Sequence, residues 1–165
     1  MKRLLIGLAL FPAILACGPT TKPKLVAIDT TAYQMDRTAT EIETALSATG
    51  AITAAKSREV YAILKPAALL GLDATHILMA WDDTQPIPPQ MPDLIAAVMQ
   101  LATTIAGVLP KDVGTEVAFE NARRATARST PEEQLVELDR LWQALLKQID
   151  ARVAALGGDE ALRRR

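Results

Sequence analysis

Thr130-Pro131-Glu132-Glu133-Gln134-Leu135-Val136-Glu137-Leu138 opens the segment that decides the fold. Thr130 is placed to cap an exposed backbone N–H, Pro131 suits the first helical position, and Glu133 can reach back to complete a capping box. Leu135, Leu138, Trp142, Leu145 and Ile149 then recur at intervals of three and four, which is one face of a helix. Leu141, Leu146, Val153 and Leu156 widen that face, and Gly157-Gly158 supplies the stop. The pattern predicts a helix over 131–156. A two-helix seam needs only two apolar positions in seven, so the wider stripe points to burial inside a bundle. Self-association through this face is the alternative, and the oligomeric state stays open.

Working back along the chain, residues 94–109 carry no charge. At 1.5 Å per residue they span about 24 Å, short of the roughly 30 Å of a bilayer core, so they read as a buried helix. A more polar helix is expected over 113–128, with Val113, Val117 and Ala125 on a thin apolar stripe. Residues 82–92 contain Pro86, Pro88, Pro89 and Pro92, a density that excludes helix and favours an extended loop. Leu69, Leu70, Leu72, Ile77, Leu78, Met79 and Trp81 predict a short buried helix over 67–81, with Gly71 as its weak point. Met35, Ala39, Ile42 and Leu46 mark one face of a long helix over 31–64, weakened at Thr49-Gly50-Ala51 and bounded by Lys65-Pro66. No strand-like alternation and no fixed repeat is evident. Only 4% of residues are aromatic, and alanine is abundant, which suits closely approaching helices. The reading is all-α: a bundle of four to five helices.

The N-terminus carries a different signal. Lys2 and Arg3 precede Leu4 to Ala16, 13 uncharged and mostly apolar residues that fit a signal peptide. The run is too short to span a membrane, and Pro12 interrupts it. Ile14-Leu15-Ala16-Cys17 resembles the lipobox of bacterial lipoproteins, with Leu15 standing where a small or β-branched residue is usual. The resemblance covers residues 1–18 only. It implies cleavage before Cys17, a diacylglyceryl group on its thiol, and anchorage in the membrane through acyl chains. Gly18, in place of a retention aspartate, directs the expectation to the outer membrane, on its periplasmic or surface face. Ordinary secretion, cutting at Ala16-Cys17-Gly18, would place Pro19 after the scissile bond, which disfavours it. An uncleaved anchor is the other alternative. The expected layout is a signal peptide over 1–16, lipidated Cys17 and a flexible tether over 17–29, a helical domain over 30–158 and a charged tail over 159–165.

Removing residues 1–16 leaves 149 residues with 16 basic and 19 acidic side chains, a net −3 that gives no reason to expect nucleic-acid binding. Cys17 is the sole cysteine, so neither an intramolecular disulfide nor a cysteine metal site is expected. His76 is the sole histidine. Asp73, Asp82 and Asp83 lie near it in sequence, but a zinc site wants three or four spaced ligands and a base wants a nucleophile or substrate pocket. No catalytic, metal or cofactor-binding residue is assigned. Glu120, Arg123 and Arg124 read as surface ion pairs. Arg163-Arg164-Arg165 reads as a solvated tail, with anionic lipid as the alternative contact. The proline-rich loop is the best candidate for docking a partner, through Trp81, Pro86, Pro88 and Pro89. These features favour a non-enzymatic lipoprotein whose helical domain contacts an envelope protein. The alternatives are a helical carrier of an apolar or amphiphilic ligand and an envelope lipoprotein of a phage or mobile element.

Overall fold

The computed structural model describes residues 21–93 and 130–163, together with residues 96, 97 and 100. Helix α1 spans Thr21–Ala48, α2 spans Ala54–Ala80, α3 spans Pro131–Ala155 and a short α4 spans Asp159–Arg163. A further helical stretch begins at Met91. The described residues contain no strand, so the fold is an all-α helical bundle in which α1, α2 and α3 pack on one another. The tail residues Arg164 and Arg165, the expected helix 113–128 with Glu120, Arg123 and Arg124, most of 94–109 and all of 1–20 lie outside the described residues.

Helix α3 forms as its sequence dictates. The Thr130 hydroxyl accepts from the Glu133 backbone N–H, and the Glu133 carboxylate accepts from the Thr130 N–H in return, completing the capping box. Leu135, Leu138, Trp142, Leu145, Ile149 and Val153 are buried along its inner face. Gly157 and Gly158 take φ values of +105° and +80°, conformations that favour glycine and turn the chain back into α4.

Helix α1 starts earlier than the sequence pattern indicates. Residues 21–29, expected as tether, are helical, and Leu25, Val26 and Ile28 are buried in the core. Pro23 permits this because it sits in the first turn, where a backbone N–H has no helical partner to lose. The break at Gly50 holds: α1 ends at Ala48, Gly50 adopts φ +69°, and Thr53 caps α2 by accepting from the Lys56 N–H. The boundary expected at Lys65-Pro66 does not. Helix α2 runs through Pro66, whose exposed ring faces away from the core while Leu64 and Ala68 are buried on either side. A proline inside a helix costs about 3 kcal/mol. Fully burying a leucine-sized side chain contributes about 1.5–3 kcal/mol, so the core residues flanking Pro66 offset it. Helix α2 is long and apolar enough to cross a membrane by composition, yet Val60, Tyr61, Leu64, Ala68 and Leu78 lie in the bundle core.

The contacts fix the helix directions. Lys22 Nζ donates to the Trp81 carbonyl at 3.0 Å and lies 3.7 Å from Glu132, which brings the start of α1, the end of α2 and the start of α3 together. At the opposite end Arg58 Nε donates to the Leu156 carbonyl at 2.9 Å. Helices α1 and α3 are therefore parallel, with α2 antiparallel to both. We term these the proximal and distal ends.

Gly71 has a specific packing duty. A Cβ built there would lie 2.2 Å from the Trp142 ring, whose indole is fully buried and makes an edge-on contact with Tyr33 at 5.3 Å between centroids. Gly71→Ala is expected to destabilise the fold by about 1–3 kcal/mol through overpacking. Urea unfolding followed by tryptophan fluorescence checks this; an unchanged midpoint would show that α2 and α3 do not meet so closely.

Candidate functional site

The most unusual chemistry in the described residues is buried. Asp29, Asp36 and Glu43 follow one another at seven-residue intervals on α1, so they stack along one face over about 21 Å. All three are at most 1% exposed.

Asp29 joins three helices. Its Oδ2 accepts from the Thr75 hydroxyl of α2 at 2.5 Å, and its Oδ1 accepts from the Trp142 indole N–H of α3 at 3.1 Å. Glu43 does the same near the distal end. Its Oε2 accepts from the Tyr61 hydroxyl of α2 at 2.8 Å, and Arg152 of α3 donates to both oxygens at 3.0 and 3.3 Å. Arg152 also bonds the Ser47 hydroxyl, tying α3 to the end of α1. Burial opposes ionisation of Glu43, but the hydrogen bonds and charge of Arg152, with the Tyr61 hydroxyl, outweigh it and hold the carboxyl below its ordinary range. Burial pushes Asp29 up to about 7, because the two neutral donors recover only part of the lost hydration.

Asp36 lies midway between these two junctions. Neither of its oxygens has a hydrogen-bond partner among the described residues. Burial alone pushes it up to about 8, so it holds a proton at neutral pH. With no exposed surface, none of the three carboxyls can meet a substrate unless the helices separate. Asp29 and Glu43, bonded to both other helices, form the junctions of a polar seam that holds the bundle in register.

The sequence-derived candidates lie on the surface. His76 Nε2 is 2.7 Å from Asp139 Oδ1 across the α2–α3 boundary, and Asp139 also accepts from Gln143 Nε2 at 3.0 and 3.1 Å. Asp139 is the partner that sequence reasoning missed, because it lies 63 residues away. Asp73 shares with His76 an open groove of about 330 Å³, otherwise lined by Leu70, Ala74, Ile77, Gln90 and Met91. Asp82 does not join them: its Oδ1 accepts from the Thr84 N–H within its own turn at 3.0 Å, and this bond holds its carboxyl below its ordinary range. Asp83 is exposed in the same turn. Among the described residues, no three acidic, histidine or cysteine side chains are grouped to hold a metal ion. A second groove, of about 570 Å³, runs between α2 and α4. Lys65 on its wall is bonded to Asp150 at 2.9 Å and Asp159 at 2.7 Å, which pins α4 and α3 to α2. Arg163 also lines this groove.

The proline-rich loop separates into two parts. Pro86 and Pro89 are exposed, Pro88 is half-buried and Ile87 is 41% exposed. Trp81, expected to join them on a docking surface, is buried in the core at 8% exposure, with its indole N–H unpartnered among the described residues. The loop also ends earlier than expected: Met91 is helical and buried. Cys17 lies outside the described residues. No family model, curated protein or solved structure matches the chain.

Two predictions follow from the acidic seam. Asp29 and Asp36 have folded pKa values raised from an ordinary 3.8, so their protonated forms favour the fold. That stability is fully present below about pH 3.8 and is lost as pH rises through about 7 and 8. Glu43 acts oppositely, its contribution disappearing as pH falls below the usual carboxylate range. Circular dichroism melts should therefore give the highest melting temperature at about pH 4 or just below, with a decline toward pH 9. Asp36→Asn should flatten the decline and raise the melting temperature at pH 8; an unaltered profile would show that Asp36 is not buried. Separately, Arg152→Met should cost about 3–5 kcal/mol by leaving Glu43 buried and unpaired. Adding Glu43→Gln should recover most of that loss in the same denaturation assay.

Proposed function

We propose that the chain is a membrane-anchored lipoprotein whose helical domain acts as a non-enzymatic interaction or scaffold module. In this reading Cys17 carries the acyl chains, and the domain faces the periplasm or the cell surface at the outer membrane. An envelope protein is the partner class.

One observation carries the reading. Thr21, four residues after Cys17 of the lipobox-like Ile14-Leu15-Ala16-Cys17, is already part of a helix packed in the bundle. Four residues reach at most about 14 Å, so a lipid on Cys17 would hold the bundle against the bilayer instead of on a long leash. A single acyl chain binds reversibly and two or more hold stably, which suits a permanent station for a scaffold. The polar seam fits the same role, since Asp29 and Glu43 use their bonding capacity on other helices.

Two open grooves on α2 favour carriage of an apolar or amphiphilic ligand as a second reading. Both have apolar walls: Leu70, Ala74, Ile77 and Met91 in one, and Ala62, Pro66, Leu69 and Leu162 in the other. Native mass spectrometry of protein purified from its host would show a bound small molecule in that case and a clean apo mass otherwise.

Metabolic labelling with a palmitate analogue tests the anchor. The wild type is expected to incorporate label and fractionate with membranes, while Cys17→Ala loses both properties. Equal labelling of the two proteins would overturn the proposal.

A further inference from the structure

The buried carboxyls have no access to solvent, and among the described residues no third acidic, histidine or cysteine side chain joins the His76–Asp139 pair to hold a metal ion. The distribution of exposed apolar side chains carries more. Among the described residues the large exposed hydrophobics are Leu69, Met79, Ile87 and Val136, at 46%, 45%, 41% and 62% exposure. Three of these four lie toward the proximal end. Met79 is in the last turn of α2, Ile87 is in the loop that follows, and Val136 is in the second turn of α3. At 1.5 Å per residue, Met79 and Val136 fall within about 8 Å of that end along their helices. Lys22 fastens the same end, through the Trp81 carbonyl and Glu132. The distal end presents instead the turn Thr49–Thr53, Lys56 and Glu59.

The chain leaving α1 toward Cys17 also departs from the proximal end. Its covalent reach is at most about 14 Å. The exposed apolar groups and the attachment point thus lie at one pole of a bundle about 40 Å long. We infer that the proximal pole, with Ile87 of the proline-rich loop and Met79 and Val136 beside it, rests in the interface of the bilayer that holds the acyl chains on Cys17. This rests on the lipoprotein reading above. Exposed charge at this pole is mainly acidic, with Asp82, Asp83, Glu132 and Glu133, so the contact is apolar and not a match to anionic headgroups. The molecule then stands on end. The distal turns project away from the membrane and are left for a protein partner.

The native chain offers a direct test, since a lipidated Cys17 leaves no free thiol. Ile87→Cys and Ala51→Cys each add one thiol at an exposed position, at opposite poles. Both proteins are labelled with a bimane fluorophore in the mature, acylated form. They are then reconstituted into vesicles of phosphatidylethanolamine and phosphatidylglycerol containing a nitroxide lipid. We expect about a twofold loss of fluorescence at position 87, insensitive to high salt, and no loss at position 51. Equal quenching at both positions, none at either, or quenching at 87 abolished by salt would overturn the inference while leaving the anchor intact. Bimane uptake by the unsubstituted protein would show a free Cys17 thiol and overturn the lipoprotein reading together with it.

Discussion

The carboxyl group of Asp29 receives a hydroxyl from one helix and an indole N–H from another, and the proximal half of the bundle is arranged around that junction. A buried carboxyl without donors would lose hydration and gain nothing in return. Thr75 and Trp142, placed at the right height, therefore favour the packing of α1 where it lies. Gly71 belongs to the same constraint: its missing side chain makes room for the Trp142 ring, and its carbonyl accepts a second bond from Thr75 at 3.1 Å. Sliding any of the three helices by one turn would separate donors from acceptor. Apolar contacts supply most of the stabilisation, but they tolerate such slips far better than a three-way polar contact does.

The distal junction repeats the logic with an ion. Glu43 is charged because Arg152 faces it in bidentate geometry, whereas Asp29 meets only neutral donors and Asp36 meets none among the described residues. Three acids at equal spacing on one helix thus occupy three different states, set by what α2 and α3 place opposite them. The bundle is fastened at both ends and holds an unrelieved polar group at its middle, where apolar packing has to compensate.

Much of the architecture was legible in the sequence wherever local chemistry acts alone. The capping box at Thr130, the three-and-four spacing of α3, the Gly157-Gly158 stop and the break at Gly50 all depend on residues close together in the chain. Misreadings arose where tertiary packing overrides a local rule. Pro23 fell within the expected tether and Pro66 marked an expected boundary, yet the first falls in a helix's opening turn and the second turns its ring to solvent while Leu64 and Ala68 are buried. Trp81 sat beside a loop in sequence but belongs to the core. The acidic seam escaped notice because Asp29 fell inside an expected tether and acids are usually a solvated face. The seven-residue recurrence of Asp29, Asp36 and Glu43 was the available signal. The partners Trp142 and Arg152 lie 113 and 109 residues away, beyond any local pattern.

Those two separations also bear on how the bundle assembles. Helices α1 and α2 meet as a hairpin across a short turn, so little chain entropy is lost in bringing them together. Docking α3 on that hairpin closes the roughly fifty residues between α2 and α3, at a chain-entropy cost of about 3.5 kcal/mol. Until it docks, Asp29 lacks its indole donor and Glu43 lacks its guanidinium, so neither acid can leave water cheaply. The hairpin is thus deprived of a dry interior of its own, and the last helix to dock determines whether the other two can bury their acids at all.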